Sequence, residues 1–185
     1  MAEDHSTMGV NKDERKLALV IVDLQKKFIL GAGDATLDSA KAHMQSMNRV
    51  IDMFRAAGRP VIWILYEGPT HMEGITMDLY ALLDGFKMEE SDHVVIKYHM
   101  NSFNNTNLSD MIHALDCDSA LLMGMFAQHC VMSTYWGAYD KGVSPYMMKD
   151  CLISNEEKYC DLIYGLCKTY DFDELESNLK ANAKK

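Results

Sequence analysis

Unbroken apolar runs alternate with helical stripes along this chain. The first run, Leu17-Ala18-Leu19-Val20-Ile21-Val22, stops at Asp23. An uninterrupted run of this kind predicts a strand buried on both faces. Met44, Met47, Ile51 and Phe54 then recur at helical spacing, which predicts a helix over 41–57 closed by Gly58. Pro60 opens a second run, Val61-Ile62-Trp63-Ile64-Leu65-Tyr66, and a short helix is expected near 77–83. Val94-Val95-Ile96 predicts a third strand ending at Lys97. Leu108, Met111, Ile112 and Leu115 mark a helix at i, i+3, i+4 and i+7. Residues 119–123 read as a fourth strand, and 130–141 as a helix closed by Gly142. Tyr146-Met147-Met148 is a fifth, weaker strand. Ser154 and Glu157 read as a capping box for a helix to about 164. A short sixth strand is expected near 166–169, before a C-terminal helix from about 172.

Strands that alternate with helices predict an α/β fold. The expected architecture is a three-layer α-β-α sandwich, Rossmann-like, around a mostly parallel sheet of five to six strands. Residues 1–16 are polar and mixed in charge and read as a tail. Residues 17–185 read as a single domain, because no repeat, low-complexity segment or linker divides them.

Charge and cysteine content narrow the classes of function. A net charge of −9 argues against nucleic-acid binding, which needs a basic surface. No apolar run approaches the roughly 20 residues of a membrane span, and the polar start lacks the order of a signal peptide. The five cysteines, at 117, 130, 151, 160 and 167, are odd in number and irregular in spacing, which predicts free thiols in a reducing, cytoplasmic compartment. The fifteen methionines read as adaptable core filler.

Open α/β sheets bind ligands beyond the carboxyl ends of their strands, so the polar residues there carry the candidate chemistry. Asp23 follows the first strand and Lys97 ends the third. Cys130 follows the fourth, across a turn that starts at Gly124, in Leu121-Leu122-Met123-Gly124-Met125-Phe126-Ala127-Gln128-His129-Cys130. Alone, Asp23 reads as a turn cap, Lys97 as a solvated lysine and Cys130 as a buried, inert thiol. Together they are an acid, a cation and a nucleophile. Asp23 would take the thiol proton, while Lys97 and the N-terminus of the following helix would stabilise a thiolate. Backbone N–H groups of the turn would form an oxyanion hole. That chemistry is acyl transfer to water through a thioester.

Three motifs resemble those of the isochorismatase-like hydrolases, the cysteine hydrolase superfamily. Ala18-Leu19-Val20-Ile21-Val22-Asp23-Leu24-Gln25 with Phe28 is similar to the family's apolar strand and D-x-Q-x-x-F. Val95-Ile96-Lys97 with Ser102, Phe103, Thr106 and Leu108 is similar to K…S-x-F…T-x-L. Gly124 to Val131 is similar to G-x-A-T-x-x-C-V. The resemblance implies an Asp23-Lys97-Cys130 catalytic triad and a cis peptide at Met125–Phe126. It also implies oxyanion donors at the backbone of Phe126 and Cys130. The cysteine points to the amidase branch, acting on a C–N bond of a small molecule.

Nicotinamidases of that family carry a D-x-H metal motif after the second strand. Here Tyr66-Glu67-Gly68-Pro69-Thr70-His71 stands there. Glu67 and His71 are ligand types at a different spacing, so neither metal nor cofactor is expected. Phe126-Ala127-Gln128 departs from the family's smaller loop. Phe28, Tyr66, Gln128 and His129 are expected at the substrate, with Tyr98 and Tyr135 as further aromatic candidates and Trp63 in the core. The resemblance also implies a homo-oligomer, a dimer or tetramer. The competing readings are a catalytically silent binding or scaffold protein, and a redox-responsive protein pairing Cys151 with Cys160.

Overall fold

The computed structural model describes residues 11–30, 32–68, 78 and 80–183. Six strands form one sheet: β1 (Leu17–Val22), β2 (Val61–Tyr66), β3 (His93–Lys97), β4 (Ser119–Met125), β5 (Ser144–Ile153) and β6 (Thr169–Tyr170). Their spatial order is β3-β2-β1-β4-β5-β6, and every neighbouring pair is parallel. The unbroken apolar runs follow from this arrangement. Leu17, Leu19 and Ile21 enter one core layer while Ala18, Val20 and Val22 enter the other, so no position of β1 faces water.

The first layer is covered by α1 (Asp34–Ala56) and α5 (Phe172–Ala181), through Met47, Val50, Phe54, Leu175 and Leu179. The second is covered by α2 (Leu108–Ala114), α3 (Met132–Tyr139) and α4 (Glu157–Leu166), through Ile112, Tyr135, Ala138 and Ile163. Trp63 lies wholly in the core, with its indole N–H donating to Asp92 Oδ2 at 2.9 Å.

Several boundaries differ from the sequence pattern, each for a physical reason. Helix α1 starts seven residues before the predicted 41–57 because Thr36, Ser39 and Ala40 are buried without being large. No helix forms over the described part of 77–83. There Leu82 pairs with Gln25 in an antiparallel bridge, and the backbone N–H of Leu83 donates to Leu24 O at 3.0 Å. Strand β5 runs past its apolar core because the register shifts opposite Leu122–Gly124 and Asp150 turns into a left-handed conformation, φ 60°.

The Ser154/Glu157 capping box is not made. Ser154 Oγ instead donates to Gln128 Oε1 at 2.9 Å, and α4 begins without a side-chain cap. A capping box does form at Asp171 and Glu174, at the start of α5.

One glycine sets how closely the two central strands approach beside Asp23. Gly124 has φ +124°, and a Cβ there would lie 2.1 Å from the carbonyl oxygen of Val22. Backbone cannot yield as a flexible side chain can. Gly124→Ala is therefore expected to lower the unfolding free energy by roughly 3 kcal/mol or more, read as a lower urea midpoint. An unchanged midpoint would refute the close approach.

Candidate active site

Strands β1 and β4 lie side by side at the centre of the sheet, and the chain leaves them in opposite directions, to β2 and to β5. Such a reversal opens a crevice at the carboxyl ends of the two strands. Asp23 follows β1 in a left-handed conformation, φ 55°, with its backbone N–H donating to Ile64 O at 3.1 Å. Lys97 ends β3, one strand beyond β2, and its long side chain reaches back across. Its Nζ stands 2.8 Å from Asp23 Oδ2, with both side chains essentially excluded from solvent. The same ammonium donates to Met100 O at 2.9 Å. The loop that follows is anchored on α3, because Ser102 N–H donates to Thr134 Oγ1 at 3.0 Å. Thr106 Oγ1 then closes that loop on Ser102 O at 2.6 Å.

Cys130 sits in a single π-helical turn, Ala127–Val131, that leads into α3. Turns of this kind recur at functional sites. The N–H groups of His129 and Val131 both donate to Phe126 O, at 2.9 and 3.3 Å, so the two bonds bracket Cys130. The peptide between Met125 and Phe126 is cis. The Cys130 thiol interacts with both Asp23 and Lys97. The three residues picked out at three strand ends thus meet at one place.

Their electrostatics differ from the expected resting thiolate. Burial pushes Asp23 above the ordinary carboxylate value, against the opposing pull of Lys97. Burial, reinforced by the negative charge of Asp23, pushes the Cys130 thiol up to about 12, and Lys97 offsets this only in part. Cys130 lies in the helical turn that leads directly into α3. The resting sulfur is a thiol beside the Asp23 carboxyl.

A cavity of about 370 Å³ has Phe28, Leu30, Phe126, Gln128, His129 and Asn155 among its walls; Asp23, Lys97 and Cys130 are not among them, and His129 brings the wall to the residue next to Cys130 along the chain. Phe28 and Phe126 meet edge to face, their centroids 6.5 Å apart. The Gln128 amide is held in place, donating to Asn155 Oδ1 at 2.7 Å and accepting from Ser154. His129 is exposed on the rim. Tyr66 is not among those walls and instead packs its ring 5.8 Å from that of Phe28. The other aromatic candidates lie elsewhere. Tyr98 is exposed and donates to Glu67, while Tyr135 is buried and accepts from Lys168 N–H at 2.9 Å.

Among the described residues, no three His, Cys, Asp or Glu side chains gather as metal ligands. Glu67 accepts from the hydroxyls of Tyr98 and Tyr80, and His71 lies outside the described residues.

Two residues of the site escaped the sequence reading. Gln25 is fully buried and laces the end of β1 to β2, accepting from Tyr66 N–H at 2.8 Å and donating to Tyr66 O at 3.2 Å. Lys27 is buried beside it. Both stand in Asp23-Leu24-Gln25-Lys26-Lys27-Phe28, directly after β1. Gln25 stood in the D-x-Q-x-x-F motif without an assigned role, and Lys27 carried no signal beyond proximity to Asp23.

Comparison with known proteins identifies the family and the fold. The isochorismatase domain family matches residues 17–163. The chain is 26% identical over 139 residues to the secreted isochorismatase effector Isc1 of Verticillium dahliae, covering 72% of each. It is 24% identical over 198 residues to nicotinamidase 3 of Arabidopsis thaliana, covering 96% of each. Its fold is similar to the N-carbamoylsarcosine amidase of Thermoplasma acidophilum, with TM-score 0.70 and 23% identity over 84% of this chain and 95% of that one. The chain belongs to the isochorismatase-like hydrolase superfamily.

The raised thiol gives a direct test. Alkylation of Cys130 by iodoacetamide, followed by mass spectrometry, is expected to be slow at pH 7 and to climb about tenfold per pH unit beyond pH 9. A plateau reached below pH 8 would show a stabilised thiolate instead.

Proposed function

We propose that this hydrolase-family protein is a cysteine amidohydrolase that cleaves a C–N bond of a small molecule through a thioester. The carrying observation is the solvent-excluded Asp23–Lys97 pair, 2.8 Å apart, in contact with the Cys130 thiol. As Cys130 Sγ attacks the amide carbonyl, Asp23 takes its proton, so negative charge on sulfur never has to persist unsupported. The tetrahedral oxyanion is received by the backbone N–H groups of Phe126 and Cys130. Asp23 then returns the proton to the departing nitrogen. The C–N bond breaks, and the acyl group remains on sulfur. Water attacks the thioester with Asp23 again taking a proton, which passes to the sulfur as the carboxylic acid leaves. Lys97 holds Asp23 in register and favours its charged form.

The cavity beside Cys130 supports a small-molecule substrate, with Phe28 and Phe126 as apolar walls and Gln128 and His129 as polar ones. All five cysteines are free, which supports a reducing compartment. Cys151 and Cys160 belong to different core layers, so the packing offers no support for pairing them. The exposed side chains of Trp136, Tyr139, Leu162 and Leu166 on α3 and α4 support a homo-oligomer.

Ammonia release from a panel of small primary amides tests the reading. Cys130→Ala is expected to lose activity by about three orders of magnitude or more. On the acid side, kcat/KM should fall at a pH above the ordinary Asp value of 3.8, because the base must be ionised and its pKa is raised. Lys97→Met should move that limb to still higher pH, since it removes the group that favours the charged carboxylate. Ammonia release that survives in Cys130→Ala would overturn the proposal. Binding without release from any amide would favour a silent scaffold.

A further inference from the structure

The start of α1 forms one wall of the cavity that reaches His129, because Ala32, Gly33 and Thr36 all line it. Helix α1 is 23 residues long and begins after Gly33 without a side-chain cap. Gly33 O takes the N–H groups of Thr36 and Leu37, at 3.0 and 3.4 Å. The N–H groups of Asp34 and Ala35, ahead of them, have no partner within the helix. Thr36 is only 3% exposed, and what little of it stays open lines the cavity. Among the described residues its hydroxyl makes no hydrogen bond. A hydroxyl so deeply set is rarely left without a partner.

A second wall offers donors as well. Ser154 N–H donates to Ser39 Oγ on α1 at 3.2 Å, which ties this wall to the helix. Ser154 Oγ accepts from Glu156 N–H at 3.3 Å and donates to Gln128 Oε1 at 2.9 Å. The oxygen of the Gln128 amide is thereby fixed, and its nitrogen donates to Asn155 Oδ1 at 2.7 Å. Gln128 Nε2 keeps one hydrogen over, and Asn155 Nδ2 keeps both. Both residues line the cavity, and among the described residues neither nitrogen has another partner.

The described walls hold no lysine, arginine, aspartate or glutamate, and His129 is their one ionisable residue. Asp34, exposed in the first turn of α1, already sets a negative charge at that helix end. The walls therefore present neutral donors in excess of acceptors, a setting that suits an uncharged oxygen better than a second anion. Phe126 opens the turn that carries Cys130, and His129 lies inside it, so the same cavity runs to the residue beside the nucleophile.

We propose that Thr36 and Asn155 are specificity-determining residues that receive an uncharged acceptor oxygen, so that the substrate is a small amide carrying a second carbonyl group. The amide half rests on the amidohydrolase reading above; the acceptor half does not. A bound carbonyl oxygen takes the donors that the chain itself leaves unused, while Phe28, Leu30 and Phe126 cover the apolar part of the molecule.

Succinamide and 4-methylpentanamide make a matched pair, alike in shape and differing in the second carbonyl. Succinamate adds a negative charge at the same place. Calorimetric titration of the Cys130→Ala protein, which cannot turn them over, reads binding alone. Succinamide is expected to bind at least about tenfold more tightly than 4-methylpentanamide, well beyond the roughly twofold advantage of its symmetry, and no less tightly than succinamate. Thr36→Val, which removes the hydroxyl and keeps the shape, should cut that preference several-fold, and Thr36→Ser should retain it. Asn155→Asp, which keeps an oxygen for Gln128 and removes the free N–H groups, should cut it too. The preference itself is readable even where a wall variant fails to fold.

Equal affinity for succinamide and 4-methylpentanamide, or a preference untouched by Thr36→Val and Asn155→Asp, would overturn the proposal. Tighter binding of succinamate would overturn the assignment of an uncharged group. Ammonia release by the unmodified protein separates the two readings. A carbonyl preference without release from any of the three sinks the amidohydrolase reading and leaves the acceptor site standing. Release without that preference does the reverse.

Discussion

The ion pair between Asp23 and Lys97 is the constraint around which the rest of the site is arranged. Two opposite charges with almost no exposure are costly to remove from water, and they persist only where each has its partner at short range. Meeting that condition requires a fold that brings the end of β3 to the end of β1 past an intervening strand. The parallel order does this, because all carboxyl ends then lie at one edge of the sheet. Gly124 lets β4 approach the backbone at Val22, one residue before the acid. The Ser102–Thr134 contact ties the loop after Lys97 to the helix that carries Cys130 forward.

This arrangement makes the nucleophile in an unexpected way. A cation near a thiol usually lowers its pKa, but here Lys97 is spent largely on the carboxylate, and burial dominates at the sulfur. In the proposed reaction, attack depends on proton transfer to Asp23 rather than on a standing thiolate. Preorganisation of Asp23 by Lys97 is what makes the coupled transfer geometrically available.

The wall of the site is held by contacts that regular secondary structure would otherwise claim. Ser154 forgoes a cap on α4 and instead fixes the amide of Gln128, which also binds Asn155. Gln25 and Lys27 both turn inward to the backbone of Tyr66, fastening the segment after β1 to the end of β2. Phe126, where the family's pattern has a smaller residue, meets Phe28 edge to face in the cavity wall. Chemistry and specificity therefore draw on different parts of the chain: the strand ends supply the reacting groups, and the loops after β1, β4 and β5 shape what reaches them.

Much of this was legible in the order of residues. Unbroken apolar runs marked β1 and β2 to the residue, because a strand buried on both faces leaves no polar position inside it. The abrupt change to Asp23, Lys97 and Cys130 marked the productive edge, and their complementary chemistry named a reaction class. What remained hidden was whatever depends on a partner distant in sequence. The early start of α1 rests on small buried residues, and the length of β5 rests on a register shift against β4. Ser154 looked like a cap until Gln128 stood beside it, and Cys130 looked like a stabilised thiolate until its burial was known. Lys27, one of two adjacent lysines, carried no assignment from the sequence. Periodicity reports which face a residue shows, since that follows from local backbone geometry. Burial and partnership follow from packing, which only the folded chain decides.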